Sequence, residues 1–314
     1  MVNLDVIDVG HGNSTVVRSA GVSVVVDAAP GGALVSYLTE HEVKSVDLFV
    51  LSHSDFDHIG GLIAILNSEI RIHKVLLNAD GTKDSEAWRD LIFALDDAQR
   101  EGDIQFEVGV TEGPLEVPGL TECSFEVVSP SRALAGLGVG GKSRCGRTIT
   151  SNSISAVIRV KQGDKGVALL AGDMDAVTLA EIEHHDLDMR ADLLVYPHHG
   201  GLPGEGDVDG FVNRLCGRVN PSAVAFSNGR GRFDNPREEV ISAVRKYVTA
   251  AYIVCTQLSM RCAEHHPDDA PLKKFKQCSG RVTTDIVGGQ VVYSSLTGHR
   301  DLLSRLPGVP MCSR

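Results

Sequence analysis

Leu51-Ser52-His53-Ser54-Asp55-Phe56-Asp57-His58-Ile59-Gly60-Gly61 decides how the rest of the chain is read. Ahead of it, Asp47–Ser52 is a compact apolar run that predicts a buried strand; after it, Ile59–Leu66 has apolar residues at helical spacing. Between the two, four ligand-type residues fall within six positions. A strand alone would send His53, Asp55 and Asp57 to one side, and a loop can then turn His58 inward. The outcome is a dense set of nitrogen and oxygen donors, which suits Zn2+ or Mn2+. Gly60 and Gly61 let the helix begin close to that set. The plainer reading is a polar turn with Asp57 as N-cap and an exposed histidine. It needs four donors and two glycines to coincide at fixed spacing by chance.

The surrounding 314 residues are 42% hydrophobic and 23% charged, ordinary globular usage. That excludes a disordered tail, a coiled coil and a collagen-like fibre. No run approaches the roughly 18 apolar residues of a membrane span, and Met1–Val9 shows no secretory signal pattern. A cytoplasmic protein with no membrane association is expected. The net charge of −11 does not suit indiscriminate coating of DNA, although bound divalent ions add positive charge that a formal count omits. Aromatic residues are 5%, which argues against long stacking platforms. Seven cysteines, an odd number, favour free or metal-bound thiols over a disulfide framework.

Asn3–Val9, Thr15–Arg18 and Val22–Asp27 read as strands separated by glycine turns, and Ala33–Glu42 as a helix. Strand Lys74–Leu77 and helix Ser85–Arg100, with Ser85 as N-cap, come next, then strands near Phe106–Val108 and Phe125–Ser129. Ala133–Thr150 has no periodicity and reads as a long mobile loop. Strands Ile154–Val160 and Val167–Ala171 precede an alternation of helices Ala176–His184, Val208–Cys216 and Arg237–Val248 with strands Leu193–Tyr196, Ala223–Ser227 and Tyr252–Cys255. A hairpin is expected around Ile286–Ser294. Hairpins first and helix–strand alternation later suit two mixed sheets packed face to face with helices outside.

His53-x-Asp55-x-Asp57-His58-x-Gly60-Gly61 resembles the metal motif of the metallo-β-lactamase fold, and the aspartate at position 55 is similar to the ComEC-like branch of competence nuclease domains. Asp8–Ser14, Asp27, Leu169–Asp173 and Asp192–Gly201 resemble that branch's other blocks in order and spacing, over roughly residues 1–250. The resemblance implies an α+β fold, the αββα four-layer sandwich, with a catalytic domain over 1–250 and a Cys/His-rich extension over 251–314 packed on it. It implies two divalent ions: one on His53 and Asp55, the other on Asp57, His58 and His198, with Asp173 bridging. Asp173 taken alone suits equally an N-cap for the helix at Ala176. Neighbouring side chains on an extended segment point opposite ways, so one of His198 and His199 is expected to bind metal, His198, while His199 lines the site.

The sequence departs from the pattern twice. The wider fold family has a histidine ligand before the bridging aspartate, where this chain has only His73, far too early. Asn152-Ser153 stands in that region, and Asn152 either approaches the metal or a phosphate oxygen or caps a strand. Asn235-Pro236 replaces the branch's His-Pro; asparagine can hydrogen-bond but not serve as a proton donor, leaving His11 as a substitute acid.

Gly136–Ser143 matches G-x-x-x-x-G-K-S, but no strand leads directly into it and Arg144–Thr150 is a poor helix start, so a nucleotide-binding loop is not expected. Lys142, Arg144 and Arg147 instead suggest a lid that meets a polyanion, with Arg230 and Arg232 orienting phosphates. Cys255, Cys262, His265 and Cys278 form a candidate structural zinc set, with buried thiols as the alternative, and Lys273, Lys274 and Lys276 a small basic patch. The expected function is a dinuclear phosphodiesterase, a DNA nuclease in which a water bridging the ions is deprotonated. The alternatives are a cyclic-nucleotide phosphodiesterase, another small-molecule metallohydrolase, or a non-catalytic scaffold binding partner proteins.

Overall fold

The central strands are near-continuous apolar runs, so each sheet carries an apolar surface on both faces. In the computed structural model, which describes residues 1–78, 80–204, 206–231, 233–264, 277–305 and 310–313, the two faces are covered differently. The first sheet is built from β1 (Val2–Val6), β2 (Thr15–Ser19), β3 (Val22–Val26), β5 (Leu48–Leu51), β7 (Lys74–Leu77), β8 (Gln105–Val108), β16 (Val282–Val287) and β17 (Gln290–Tyr293), in the order β17-β16-β1-β2-β3-β5-β7-β8. The short β4 (Ser45–Val46) and β6 (Arg71–Ile72) pair with each other. The second sheet takes β9 (Gly113–Leu115), β10 (Ser124–Ser129), β11 (Val157–Gln162), β12 (Lys165–Leu170), β13 (Leu193–Val195), β14 (Ala223–Phe226) and β15 (Tyr252–Cys255), in the order β15-β14-β13-β12-β11-β10-β9.

Val24, Val26, Leu48 and Val50 of the first sheet meet Ile158, Leu170, Leu193 and Val195 of the second in the core between the sheets. The intervening Val25, Phe49 and Leu51 point outward, under Leu34 and Leu38 of α1 (Ala33–Glu40), Ile59 of α2 (Phe56–Ile59), Leu62 of α3 (Leu62–Leu66) and Leu91 and Leu95 of α4 (Glu86–Glu101). On the far side, Leu169, Leu194 and Val224 are covered by α6 (Ala176–His184), α7 (Val208–Val219) and α8 (Glu238–Tyr247). The architecture is therefore helix, sheet, sheet, helix, the αββα four-layer sandwich that the resemblance implies.

Three readings change. Ala133–Thr150 is not a featureless loop: Ser131 caps a short helix α5 (Arg132–Leu137), and Lys142 bridges to Thr148. Its apolar contacts are few, Leu134 with Ile149, Ile154 and Val177, and glycines dilute the periodicity that would reveal it. The G-x-x-x-x-G-K-S match begins inside this helix, and Lys142 Nζ donates to Thr148 Oγ1 at 2.9 Å. The helix after the central motif is broken into α2 and α3 at Gly60–Gly61. The segment from 251 onward supplies β15 to the second sheet and β16–β17 to the first; α9 (Met260–Glu264) and α10 (Leu296–Arg305) complete it.

Candidate metal centre

Parallel strands end where the polypeptide has no further ladder partners, and crevices at their carboxyl ends collect functional side chains. Here β3, β5 and β7 run parallel in one sheet and β12, β13 and β14 in the other. Their ends deliver Asp27, the 53–58 cluster, Asp173 and the Pro197–Gly200 turn to one place. The loop between β1 and β2 adds His11.

Two donor groups form there, His53–His58–Asp173 and His11–Asp57–His199, each with its ligand atoms within 4.8 Å of one another. His58 Nε2 lies 3.1 Å from Asp173 Oδ1 and 3.3 Å from His199 Nε2. His53 Nε2 is 3.7 Å from Asp173 Oδ2 and 3.8 Å from Asp55 Oδ2. Asp57 Oδ2 stands 3.0 Å from His11 Nε2 and 3.3 Å from His199 Nε2. The two groups touch through His58, His199 and Asp173, whose Oδ1 is 3.7 Å from His199 Nε2.

The supporting residues fix which nitrogen faces inward. His58 Nδ1–H donates to Asp27 Oδ2 at 2.7 Å, leaving Nε2 toward the site. Asp27 is itself held by the Ser52 amide at 2.7 Å, the Ser52 hydroxyl at 2.9 Å and Asn13 Nδ2 at 3.0 Å. His199 Nδ1–H donates to the Ser227 carbonyl at 2.8 Å, so its Nε2 also faces inward. Carboxylate or carbonyl partners on the outer nitrogen are the usual way a histidine is oriented toward a metal.

Whether a cation fits can be tested on atoms that lack partners. His53 Nε2 and Asp173 Oδ1 are buried and make no hydrogen bond, an arrangement that costs stability unless something else satisfies it. Imidazole lone pairs and carboxylates converge from four loops, and a divalent ion is a partner that satisfies this donor set. Burial alone would raise the pKa of Asp173, but the neighbouring His58 and His199 imidazoles, with His198 beside it, hold it well below the ordinary range. Asp57 behaves alike: burial opposes, and His11 and His199 outweigh it. Both carboxylates are thus ionised and ready to ligate.

His198 and His199 do not sit on an extended segment. Both have φ near +50°, at 53° and 55°, inside a tight turn, and this brings both side chains to the site instead of one. His199 is buried and joins the His11–Asp57 group; His198 is 37% exposed and rests its Nδ1 3.1 Å from Asp173 Oδ2. Asn152 Nδ2 lies 3.2 Å from the same Nδ1. Asn235 lines the cleft, its Nδ2 3.5 Å from the His198 carbonyl. Asp173 is not the cap of α6; Asp175 caps it, accepting from Val177 and Thr178 amides. Asp57 lies in the first turn of α2, after an N-cap at Asp55 that makes no side-chain capping bond.

Two contacts escaped the sequence reading. Lys83, from the loop after β7, ion-pairs with Asp55 Oδ1. His11, considered only as an acid, is a neighbour of Asp57; positive φ at Gly10 and Gly12 shapes its loop, and a Cβ on Gly12 would sit 2.4 Å from the Asp57 carbonyl oxygen. The basic loop also finds partners, with Arg144 3.6 Å from Glu181. Arg232, His265, His266 and the lysines at 273, 274 and 276 lie outside the described residues. Cys255, Cys262 and Cys278 line one small cavity with Cys312, and burial, then the neighbouring thiols, pushes Cys255 and Cys278 well above the ordinary thiol range. Among the described residues, the groups close enough to hold an ion are the two at the sheet ends.

Residues 7–134 match the family model described as metallo-beta-lactamase superfamily. The chain is 22% identical over 215 residues to ComE operon protein 3 of Bacillus subtilis, covering 68% of this chain and 24% of that protein. It is 25% identical over 256 residues to Recombination protein 2 of Haemophilus influenzae, covering 79% of this chain and 27% of that protein. The chain thus spans about a quarter of the length of these relatives. Among solved structures it is similar to Tm1679, a metal-dependent hydrolase of the beta-lactamase superfamily, with a TM-score of 0.49 and 13% identity, covering 81% and 96% of the two chains.

Proposed function

We propose that this chain, whose residues 7–134 match the metallo-beta-lactamase superfamily model, is a ComEC-like metallohydrolase that hydrolyses phosphodiesters, with DNA as substrate. The observation that carries the reading is the pair of contacting donor groups, His53–His58–Asp173 and His11–Asp57–His199. We assign Asp55 and His198 as further donors at their edges, Asp173 as the residue shared between two ions, and Mn2+ or Zn2+ as the metal. The mixed set of imidazoles and carboxylates suits either ion. A nucleic-acid substrate is supported by the name of one relative, Recombination protein 2.

When bound, the ions supply an activated water and neutralise charge on the phosphoryl oxygens. The chain's residues do the rest. Asp27 and the Ser227 carbonyl keep His58 and His199 in the tautomer that faces inward. Asn152 and Asn235 offer amide N–H groups at the rim for a non-bridging phosphate oxygen. His198 holds Asp173 from the solvent side.

The test is incubation of plasmid and linear DNA with Mn2+, with Asp173→Ala as control. Cleavage by the wild type and its loss in the variant, alongside about two divalent ions per chain, is the expected result. Turnover of a cyclic dinucleotide with intact DNA would move the substrate to small nucleotides. Absence of bound metal would leave a scaffold.

A further inference from the structure

Two phenylalanines at the metal cleft are exposed to an extent that folding does not explain. Among the described residues three phenylalanines are exposed, Phe56, Phe93 and Phe233, and two of the three line this one cleft, each 48% exposed. Their positions are held from below. The Phe56 ring lies across Gly60, where a Cβ would be 2.6 Å from Phe56 Cε2. The Phe233 ring packs on His11 with centroids 4.4 Å apart and planes at 41°. Each ring is thus braced on the site's own frame in a residue that stays about half exposed. The cleft itself is small, about 190 Å3, below the roughly 300 Å3 at which pockets begin to enclose a whole small molecule. It has room for the reacting phosphate group, while whatever flanks that group must lie on the rim.

We propose that Phe56 and Phe233 form a stacking rim for an unpaired nucleobase adjacent to the scissile phosphodiester. The proposal rests on the phosphodiesterase reading above and gives it a substrate form: single strands, frayed ends or small nucleotides, not the interior of a duplex. An aromatic face accepts any base, because every base has a π-face, so the rim confers dependence on a base without dependence on sequence. In a duplex the base is stacked on its neighbours and is unavailable to either ring until the helix opens. The rim also accounts for how an acidic chain engages a polyanion: contact is made by rings and ions at one point, not by a basic stripe.

The experiment separates binding from turnover. Affinity is measured with Ca2+ in place of Mn2+ for a short single-stranded oligonucleotide, the same strand with one central abasic site flanked by short arms, a blunt duplex and a cyclic dinucleotide. Wild type should bind the intact strand about tenfold more tightly than the abasic one and more tightly than the duplex. Phe56→Leu and Phe233→Leu, which keep apolar bulk and lose the ring, should each shrink that ratio, and Phe233→Trp should preserve it. A wild-type ratio near one, or one unchanged in both leucine variants, overturns the stacking rim. If the ratio behaves as expected but Mn2+ gives no cleavage, the rim stands and the nuclease reading falls. Base-dependent binding of the cyclic dinucleotide alone assigns the rim to small nucleotides instead of strands.

Discussion

Lys83 places an ammonium group on a carboxylate that the sequence marks as a metal donor, so the two cations compete for Asp55. Replacing it as Lys83→Met should tighten divalent-ion binding by roughly tenfold, the order of one like-charge repulsion across a few ångströms at the surface. Titration calorimetry checks this, and weaker binding would show that Lys83 supports the site instead. Asp27→Asn acts oppositely: it loosens the hold on His58 Nδ1–H, and removal of such an orienting partner costs about 10- to 100-fold in metal affinity, read by competition with a chelating dye. At this scale the 53–58 cluster was legible because its donors are contiguous. Lys83 and Asp27 reach it from other strand ends, and no local pattern announces a contact made across 28 residues or 31 residues of chain. That His198 and His199 both face the cleft was hidden by their left-handed backbone, which contradicts the extended segment their strand context suggests.

Elements position the site by how closely they approach one another. A Cβ on Gly61 would lie 2.3 Å from the Ala29 carbonyl oxygen, so Gly61→Ala must push α3 away from the end of β3. A loss of about 1–3 kcal/mol in denaturant unfolding is expected, together with reduced metal content because His58 precedes the displaced turn. The helix α10 carries His299, which is 2% exposed, bonded to the Tyr252 hydroxyl and 3.1 Å from Cys278 Sγ. Burial lowers its pKa to about 4. Its neutral form is favoured when folded, so stability is complete above the unfolded value near 6.5 and is lost as pH falls toward 4. His299→Gln should flatten that acid limb of the pH–stability curve. Most elements were legible from compact apolar runs and helical spacing; α5 was not, since its apolar contacts are few and its sequence is diluted by glycine.

For the molecule as a whole, metal and fold are linked. Chelation should lower the melting temperature and Mn2+ should restore it, with about 2.7 kcal/mol of stabilisation when the ion stands at a hundred times its dissociation constant, a shift of a few degrees. A differential scan with and without chelator reads it directly. Truncation after residue 250 should fail to give a stable protein, because it removes β15, β16 and β17 from both sheets. The boundary inferred at 250 follows where motif similarity stops, whereas the strand pairing crosses it. That pairing has a further consequence. β1 is flanked by β2 on one side and by β16 on the other, with Val2 opposite Ile286. During synthesis β1 must therefore wait, with one edge open, until β16, which follows it by more than 200 residues, has left the ribosome. Every nascent intermediate presents a bare strand margin to chaperones and to neighbouring chains until that seam closes.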